Sequence, residues 1–204
     1  MQRLPILRSM LVYLTLGTPA FSAVTGPAIG TVAPEFSAHN LMTGGKIDLK
    51  DERGKLVIVT FWATWCGPCR RELPILERAQ QLVGKERLTV LAVNFKDRPE
   101  AVAQLRKVAK TWSITFVADP NGVIARQYKI SAIPHLFMVS GQGQILANHL
   151  GYGDRSIKML VDDINTALRG DTVSGPEPED SPESAAGDES SAPQPATPSP
   201  ENSR

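Results

Sequence analysis

The chain has 204 residues, of which 42% are apolar, and this is enough apolar material for one globular core. Its 22 basic and 21 acidic residues give a formal net charge of +1, which argues against a nucleic-acid-binding protein because such proteins carry a basic excess. Two cysteines are too few for a small secreted scaffold held together by several disulfide bonds.

The N-terminal segment, residues 1–23, has the pattern of a secretory signal peptide. It carries Arg3 and Arg8 and no acid, continues with an uncharged run at 9–16, and ends in small residues. Cleavage is expected after Ser22 or Ala23. An uncleaved membrane anchor is the alternative, although a spanning helix needs about 20 apolar residues and this run is shorter. The segment therefore predicts export, with the periplasm as the expected location.

The C-terminal segment, residues 171–204, differs sharply from the rest of the chain. It contains eight acids against one base, seven prolines, and no Leu, Ile, Phe, Met, Tyr or Trp. Such a composition cannot bury enough apolar surface to offset the entropy of ordering, so disorder is predicted. A solubilising tail or spacer is favoured over an acidic arm that touches a basic surface. The intervening residues 24–170 are predicted to form one compact domain.

The domain is predicted to begin with a hairpin at 36–49, whose turn contains Gly44 and Gly45. Runs of β-branched and aromatic residues, and a final hairpin turn at 140–143, predict the remaining strands. These lie at 56–62, 88–95, 116–118, 135–139 and 144–150.

Helical spacing of apolar residues and helix-end signals predict four helices. These lie at 68–83, from Pro99 to about 110, at 123–128, and from a capping Asp154 to about 168, with Gly170 just past the last end. The alternation of strands and helices predicts an α/β sandwich, with a mixed central sheet covered by helices on both faces.

The candidate active site is a cysteine pair, Cys66 and Cys69, placed where a buried strand ends and a helix begins. If Cys66 is the N-cap, Gly67 and Pro68 fall in the first turn, where the missing proline N–H costs nothing. The free N–H of Cys69 and the helix dipole would then stabilise a Cys66 thiolate. This geometry predicts that Cys66 is the nucleophile and Cys69 the resolving thiol.

Glu72 is the candidate base for deprotonating Cys69, because it lies one helical turn further on the same face. A carboxylate in apolar surroundings has a raised pKa, which suits proton transfer near neutral pH. The alternative is an ordinary surface carboxylate beside Arg70 and Arg71.

Two other uses of the cysteines are weaker. A zinc site needs two further ligands, and the three histidines have no ligand spacing with one another. A structural disulfide that closes a two-residue loop would stabilise little. A catalytic redox pair is therefore predicted, with no metal and no cofactor.

The stretch 60–74, TFWATWCGPCRRELP, resembles the active-site region of the thioredoxin superfamily, and most closely that of the secreted TlpA/ResA-like thiol–disulfide oxidoreductases. The similarity covers about 34–168 and implies a thioredoxin-like fold with an N-terminal hairpin extension. Thr60 occupies the position of thioredoxin's buried aspartate. Glu72 matches an acid that the family carries three residues after the second cysteine. Pro74 matches a proline that kinks the active-site helix in the family.

A second match, at 128–137, implies a cis peptide bond before Pro134, facing the cysteine pair. Ile133 would then offer its backbone N–H and C=O to an extended substrate segment. Trp65, with Gly67 and Pro68, would complete the substrate-binding surface. His135 departs from the family, which more often has threonine there. We interpret it as a buried strand histidine with a hydrogen-bond partner, the alternative being a residue that tunes the site.

The Gly-Pro dipeptide between the cysteines matches that of reducing thioredoxin. It favours a reductase of disulfides. A reductase exported to an oxidising compartment needs a supply of electrons, and a membrane thiol transporter is the expected donor. The expected substrates are secreted or cytochrome c precursor proteins, and the protein is expected to be a monomer. A disulfide oxidase or isomerase using the same cysteines is the alternative. A peroxidase of the peroxiredoxin type is disfavoured because Ala63 stands where that class has threonine. A metal chaperone using both cysteines and a histidine is a further alternative.

Overall fold

The computed structural model describes residues 26–170. Both flanking segments, the predicted signal peptide and the predicted acidic tail, lie outside the described residues. The α/β class is confirmed: a mixed central sheet carries helices on both faces, and a hairpin precedes it.

The N-terminal hairpin consists of two antiparallel strands, β1 (Ser37–His39) and β2 (Lys46–Asp48). Gly44 in its turn has a φ of 75°, a left-handed conformation that favours glycine. The N–H of Leu41 donates to the carbonyl of Phe116 at 2.8 Å, which ties the hairpin to the edge of the central sheet. The predicted hairpin is thus an attached extension of the domain.

The central sheet has five strands in the order β5-β4-β3-β6-β7. β3, β4 and β5 are parallel, whereas β6 and β7 are antiparallel to their neighbours. All side chains of β3 are buried, as its continuous apolar sequence predicts for a central strand. The strands are β3 (Leu56–Trp62), β4 (Leu88–Phe95), β5 (Thr115–Asp119), β6 (His135–Val139) and β7 (Ile145–Leu150).

Four helices flank the sheet, α1 (Gly67–Val83), α2 (Pro99–Val108), α3 (Val123–Gln127) and α4 (Asp154–Arg169). The prediction that Asp154 caps α4 is wrong. Gly153 is the N-cap, and the Ser156 hydroxyl accepts its N–H at 2.7 Å, which satisfies a donor at the helix start. Gly170 follows the helix with a φ of 81°, as predicted for a C-terminal cap.

Two hydrophobic clusters fill the two faces of the sheet. One packs α1 and α4 against the sheet and contains both cysteines. The other packs α3 and the region of the N-terminal hairpin against the opposite face. Trp62 belongs to the first cluster, and Trp112 packs at its margin with its ring 6.0 Å from that of Phe116. The active-site helix is therefore held by the larger cluster.

Candidate active site

Cys66 and Cys69 form a disulfide at the N-terminus of α1, with their Cα atoms 5.3 Å apart. Cys66 is the N-cap, in an extended conformation, and its Sγ accepts the N–H of Cys69 at 3.2 Å. This is the geometry that the Cys-Gly-Pro-Cys spacing predicts. In the dithiol form, the same donor and the helix dipole favour the thiolate of Cys66.

The two sulfurs differ in access to solvent. Cys66 is 5% exposed, Cys69 is fully buried, and the neighbouring Trp65 is 66% exposed. Pro68 is exposed and Gly67 is half-buried. Of the two cysteines, Cys66 is therefore the closer to solvent, and an exposed apolar ring precedes it in the chain.

The loop before β6 lies directly beside the disulfide. The Ile133–Pro134 peptide bond is cis, as the resemblance implies. The carbonyl oxygen of Ile133 lies 3.8 Å from the Sγ of Cys66, and Pro134 is buried. The carbonyl of Pro134 accepts the N–H of Gly151 at 2.9 Å, which holds the loop against the end of β7.

Glu72 is buried on the sheet-facing side of α1, with 5% of its surface exposed. The Thr60 hydroxyl donates to its Oε2 at 3.1 Å. Burial raises the pKa of Glu72 to about 7, although the Thr60 hydrogen bond acts in the opposite direction. The alternative of a surface carboxylate is therefore wrong, and the side chain can exchange a proton near neutral pH.

His135 lies on the opposite face of the sheet from Glu72, because it pairs with Phe61, the neighbour of Thr60 in β3. Its Nε2 is 2.6 Å from the Oδ1 of Asn148, and its ring stacks on Phe137 at 4.5 Å. Burial lowers its pKa. This matches the interpretation as a buried strand histidine with a partner.

Asp97 belongs to the site but was not among the residues predicted from the sequence. Its carboxylate accepts the N–H and the hydroxyl of Thr64 at 2.8 and 3.0 Å, and the Asn94 side-chain amide at 2.7 Å. Asp97 thus fixes the segment leading into Trp65 and Cys66. A signal was present, since Asp97 closely follows β4 and the carboxyl ends of adjacent parallel strands share one edge of a sheet.

Residues 26–170 contain no group of three His, Cys, Asp or Glu side chains placed to hold a metal ion. No helix in the same part of the chain has the length and apolar character needed to cross a membrane.

Comparison with known proteins agrees with this geometry. A family model described as AhpC/TSA matches residues 29–148. "Thioredoxin-like protein YneN" of Bacillus subtilis is 38% identical over 124 residues, which cover 60% of this chain and 71% of that protein. The thiol-disulfide oxidoreductase ResA of Geobacillus kaustophilus is 32% identical over 133 residues, covering 64% of this chain and 74% of the relative.

A crystal structure of a Chlorobium tepidum protein, provisionally named thiol:disulfide interchange protein DsbE, is similar at 30% identity. Its TM-score is 0.63, and the match covers 69% of this chain and 98% of that one. The family model covers more than half of the chain. The chain belongs to the AhpC/TSA family, and it is a thioredoxin-like thiol–disulfide oxidoreductase of the ResA and DsbE type.

Proposed function

We propose that the protein is an extracytoplasmic reductase of protein disulfides. The observation that carries this is the Cys66–Cys69 disulfide at the N-terminus of α1, with the Cys66 sulfur capped by a backbone N–H and facing the cis-proline loop. The Gly-Pro dipeptide between the cysteines supports the reducing direction. The N-terminal sequence supports export to the periplasm, by a signal peptide at 1–23 that precedes the domain at 24–170 and the tail at 171–204.

In the proposed reaction the Cys66 thiolate attacks a substrate disulfide. A bond forms between Cys66 and one substrate sulfur, and the other substrate sulfur leaves as a thiolate. Cys69 then loses its proton to Glu72 and attacks the Cys66 sulfur, which releases the second substrate thiolate. The substrate gains two electrons, and the protein is left with the Cys66–Cys69 disulfide. A membrane thiol-transporting donor returns the two electrons.

Substrate binding is proposed at the surface around the disulfide. The exposed Trp65 ring and Pro68 offer apolar contact, with Gly67 leaving room at the helix start. The backbone of Ile133, next to Pro134, pairs with an extended segment of the substrate. The substrates are disulfide-containing secreted or cytochrome c precursor proteins, bound by a monomer.

The midpoint potential of the cysteine pair tests the reducing direction. The protein is equilibrated with glutathione and dithiothreitol buffers, and tryptophan fluorescence reports its redox state. A potential at or below about −230 mV supports a reductase, since thioredoxin lies at about −270 mV. A potential above about −150 mV contradicts it and supports an oxidase or isomerase.

Two cysteine variants test the assigned roles. Cys66→Ser should abolish disulfide reduction, whereas Cys69→Ser should accumulate a mixed disulfide with substrate through Cys66. Trapping through Cys69 in the Cys66→Ser variant would contradict the assignment. Peroxide consumption with dithiothreitol as donor should be absent, because the residue three before Cys66 is the buried Ala63 and not a threonine.

A further inference from the structure

A second buried acid–base pair lies beside the active site and takes no part in the exchange described above. The Nε2 of His149, in β7, lies 2.9 Å from the Oδ2 of Asp163, in α4. Their side chains are only 6% and 11% exposed. A buried acid–base contact of this kind commonly contributes no more to stability than apolar residues of the same volume. Its place in the fold points to another role.

The strand register places His149 in the same cross-strand row as Thr60, the hydrogen-bond partner of Glu72. Thr60 of β3 is opposite Leu136 of β6, and Leu136 is opposite His149. Residues directly opposite in antiparallel strands present their side chains on the same face. Neighbouring strands are about 4.8 Å apart, so Thr60 and His149 are separated by about 10 Å along this row. Glu72 is bonded to Thr60 at one end, and Asp163 contacts the other end.

A small cavity lies beside this row of residues. Glu72, His149, Tyr152 and Ser156 are among the residues that line it. The space open to the centre of a water molecule in this cavity is about 10 Å³, which is enough for about one water molecule. Asp163 is not on the cavity wall. His149 therefore shares the cavity wall with Glu72, whereas the carboxyl group of Asp163 lies behind the imidazole and outside the cavity.

The geometry points to the His149–Asp163 pair as a positioning element for Glu72. When Glu72 ionises, a proton moves from Asp163 to the imidazole, and the imidazolium stabilises the Glu72 carboxylate across the cavity. The inference rests on the proposed role of Glu72 as the base for Cys69.

The electrostatics of the pair allow such a proton shift. Burial lowers the pKa of His149 and raises that of Asp163, so both groups favour their neutral forms in the absence of other charges. A proton can move between them without changing the net charge of the pair. Asp162 further raises the pKa of Asp163. The Arg71 guanidinium lies 5.2 Å above the centre of the Tyr152 ring.

The test measures the rate of the resolving step, in which Cys69 attacks the mixed disulfide, as a function of pH. Reduced protein is mixed with excess oxidised glutathione, and the phase whose rate is independent of glutathione concentration reports attack by Cys69. In the wild type its midpoint should lie near the Glu72 pKa of about 7. His149→Gln removes the cation, so the Glu72 pKa and the midpoint should rise by about one pH unit, making the step about tenfold slower below the midpoint. The rate at high pH should not change.

Asp163→Asn is the second variant, and it keeps the test decisive if His149→Gln folds poorly. It removes the proton donor of the imidazole, so the midpoint should again rise. Ile164→Val, in the same helix, controls for packing and should leave the midpoint unchanged. A merely structural pair would lower the melting temperature without moving the midpoint, and that result would overturn the inference. A downward shift in Asp163→Asn would overturn it as well.

Glu72→Gln separates this inference from the proposed function. If the rate of the resolving step keeps its wild-type pH midpoint in Glu72→Gln, Glu72 is not the base for Cys69. The inference about the His149–Asp163 pair then fails as well. If the midpoint disappears in Glu72→Gln but stays at its wild-type value in His149→Gln and Asp163→Asn, the base assignment stands and only the role of the pair is wrong.

Discussion

Helix α1 carries two buried glutamates whose surroundings differ. Glu77, at 7% exposure, accepts hydrogen bonds from the N–H groups of Ser113 and Ile114, from the Ser113 hydroxyl and from the Gln81 amide. Glu72, at 5% exposure, has Thr60 as its one donor within residues 26–170. A carboxylate supplied with several backbone donors ties distant elements of the fold together. One with a single hydroxyl partner is available to carry a proton.

The largest expected effect concerns the region of Glu77. Glu77→Ala should leave the N–H groups of the half-buried Ser113 and the buried Ile114 without their acceptor, which should lower the free energy of unfolding by about 4 kcal/mol. Urea denaturation of the oxidised protein measures this, with the exposed Glu86→Ala as control. A loss below about 1 kcal/mol would show that the network around Glu77 is dispensable.

Glu72 should make the free energy of unfolding depend on pH. The pKa of this carboxyl is raised from 4.5 to about 7 in the folded protein. Between these pH values the folded protein holds a proton that the unfolded chain has lost, so the free energy of unfolding falls as pH rises. The fall should amount to about 3 kcal/mol.

Glu72→Gln stays neutral at every pH and should lack this fall, which makes it more stable than the wild type at pH 8. Parallel stability curves for the two proteins between pH 4 and pH 8 would contradict the raised pKa of Glu72.

Glu72→Gln should also show that Glu72 and Glu77 differ in their effect on the resolving step. Glu72→Gln should slow the resolving step at neutral pH by about 100-fold, the lower range of general-base contributions. Rapid-mixing fluorescence with oxidised glutathione measures this rate. Glu77→Gln is the matched variant, and it should cost stability while leaving the pH midpoint of the resolving step in place. Equal slowing in both variants would remove the distinction between them.

The smallest expected effect tests the single donor to Glu72. Thr60→Val removes a hydrogen bond to the carboxylate, so the pKa of Glu72 and the midpoint of the resolving step should rise by about one pH unit. Thr89→Val is a matched control, because Thr89 is also a buried threonine that donates to a glutamate, Glu52, at 3.0 Å. A shift in the control of the same size would show that the effect is not specific to Thr60.

The local sequence was sufficient to predict the elements and the N-cap geometry of the cysteines. The β-branched run of β3, the proline in the first turn of α1 and the glycine after α4 act through bonds within a few residues. The start of α4 was misassigned by one residue because Gly153 has no side chain to signal a cap, and Ser156 satisfies its N–H.

Only the tertiary structure decided the contacts between segments that are far apart in the sequence. The spacing between Cys69 and Glu72 permitted either a buried base or a surface carboxylate, and the packing of α1 on β3 selected burial beside Thr60. The bonds of Asp97 to Thr64 depend on β4 lying next to β3. The contact of His149 with Asp163 depends on α4 crossing β7. These contacts join residues that are 12 or more positions apart, so no local period encodes them; strand order and helix packing bring them together.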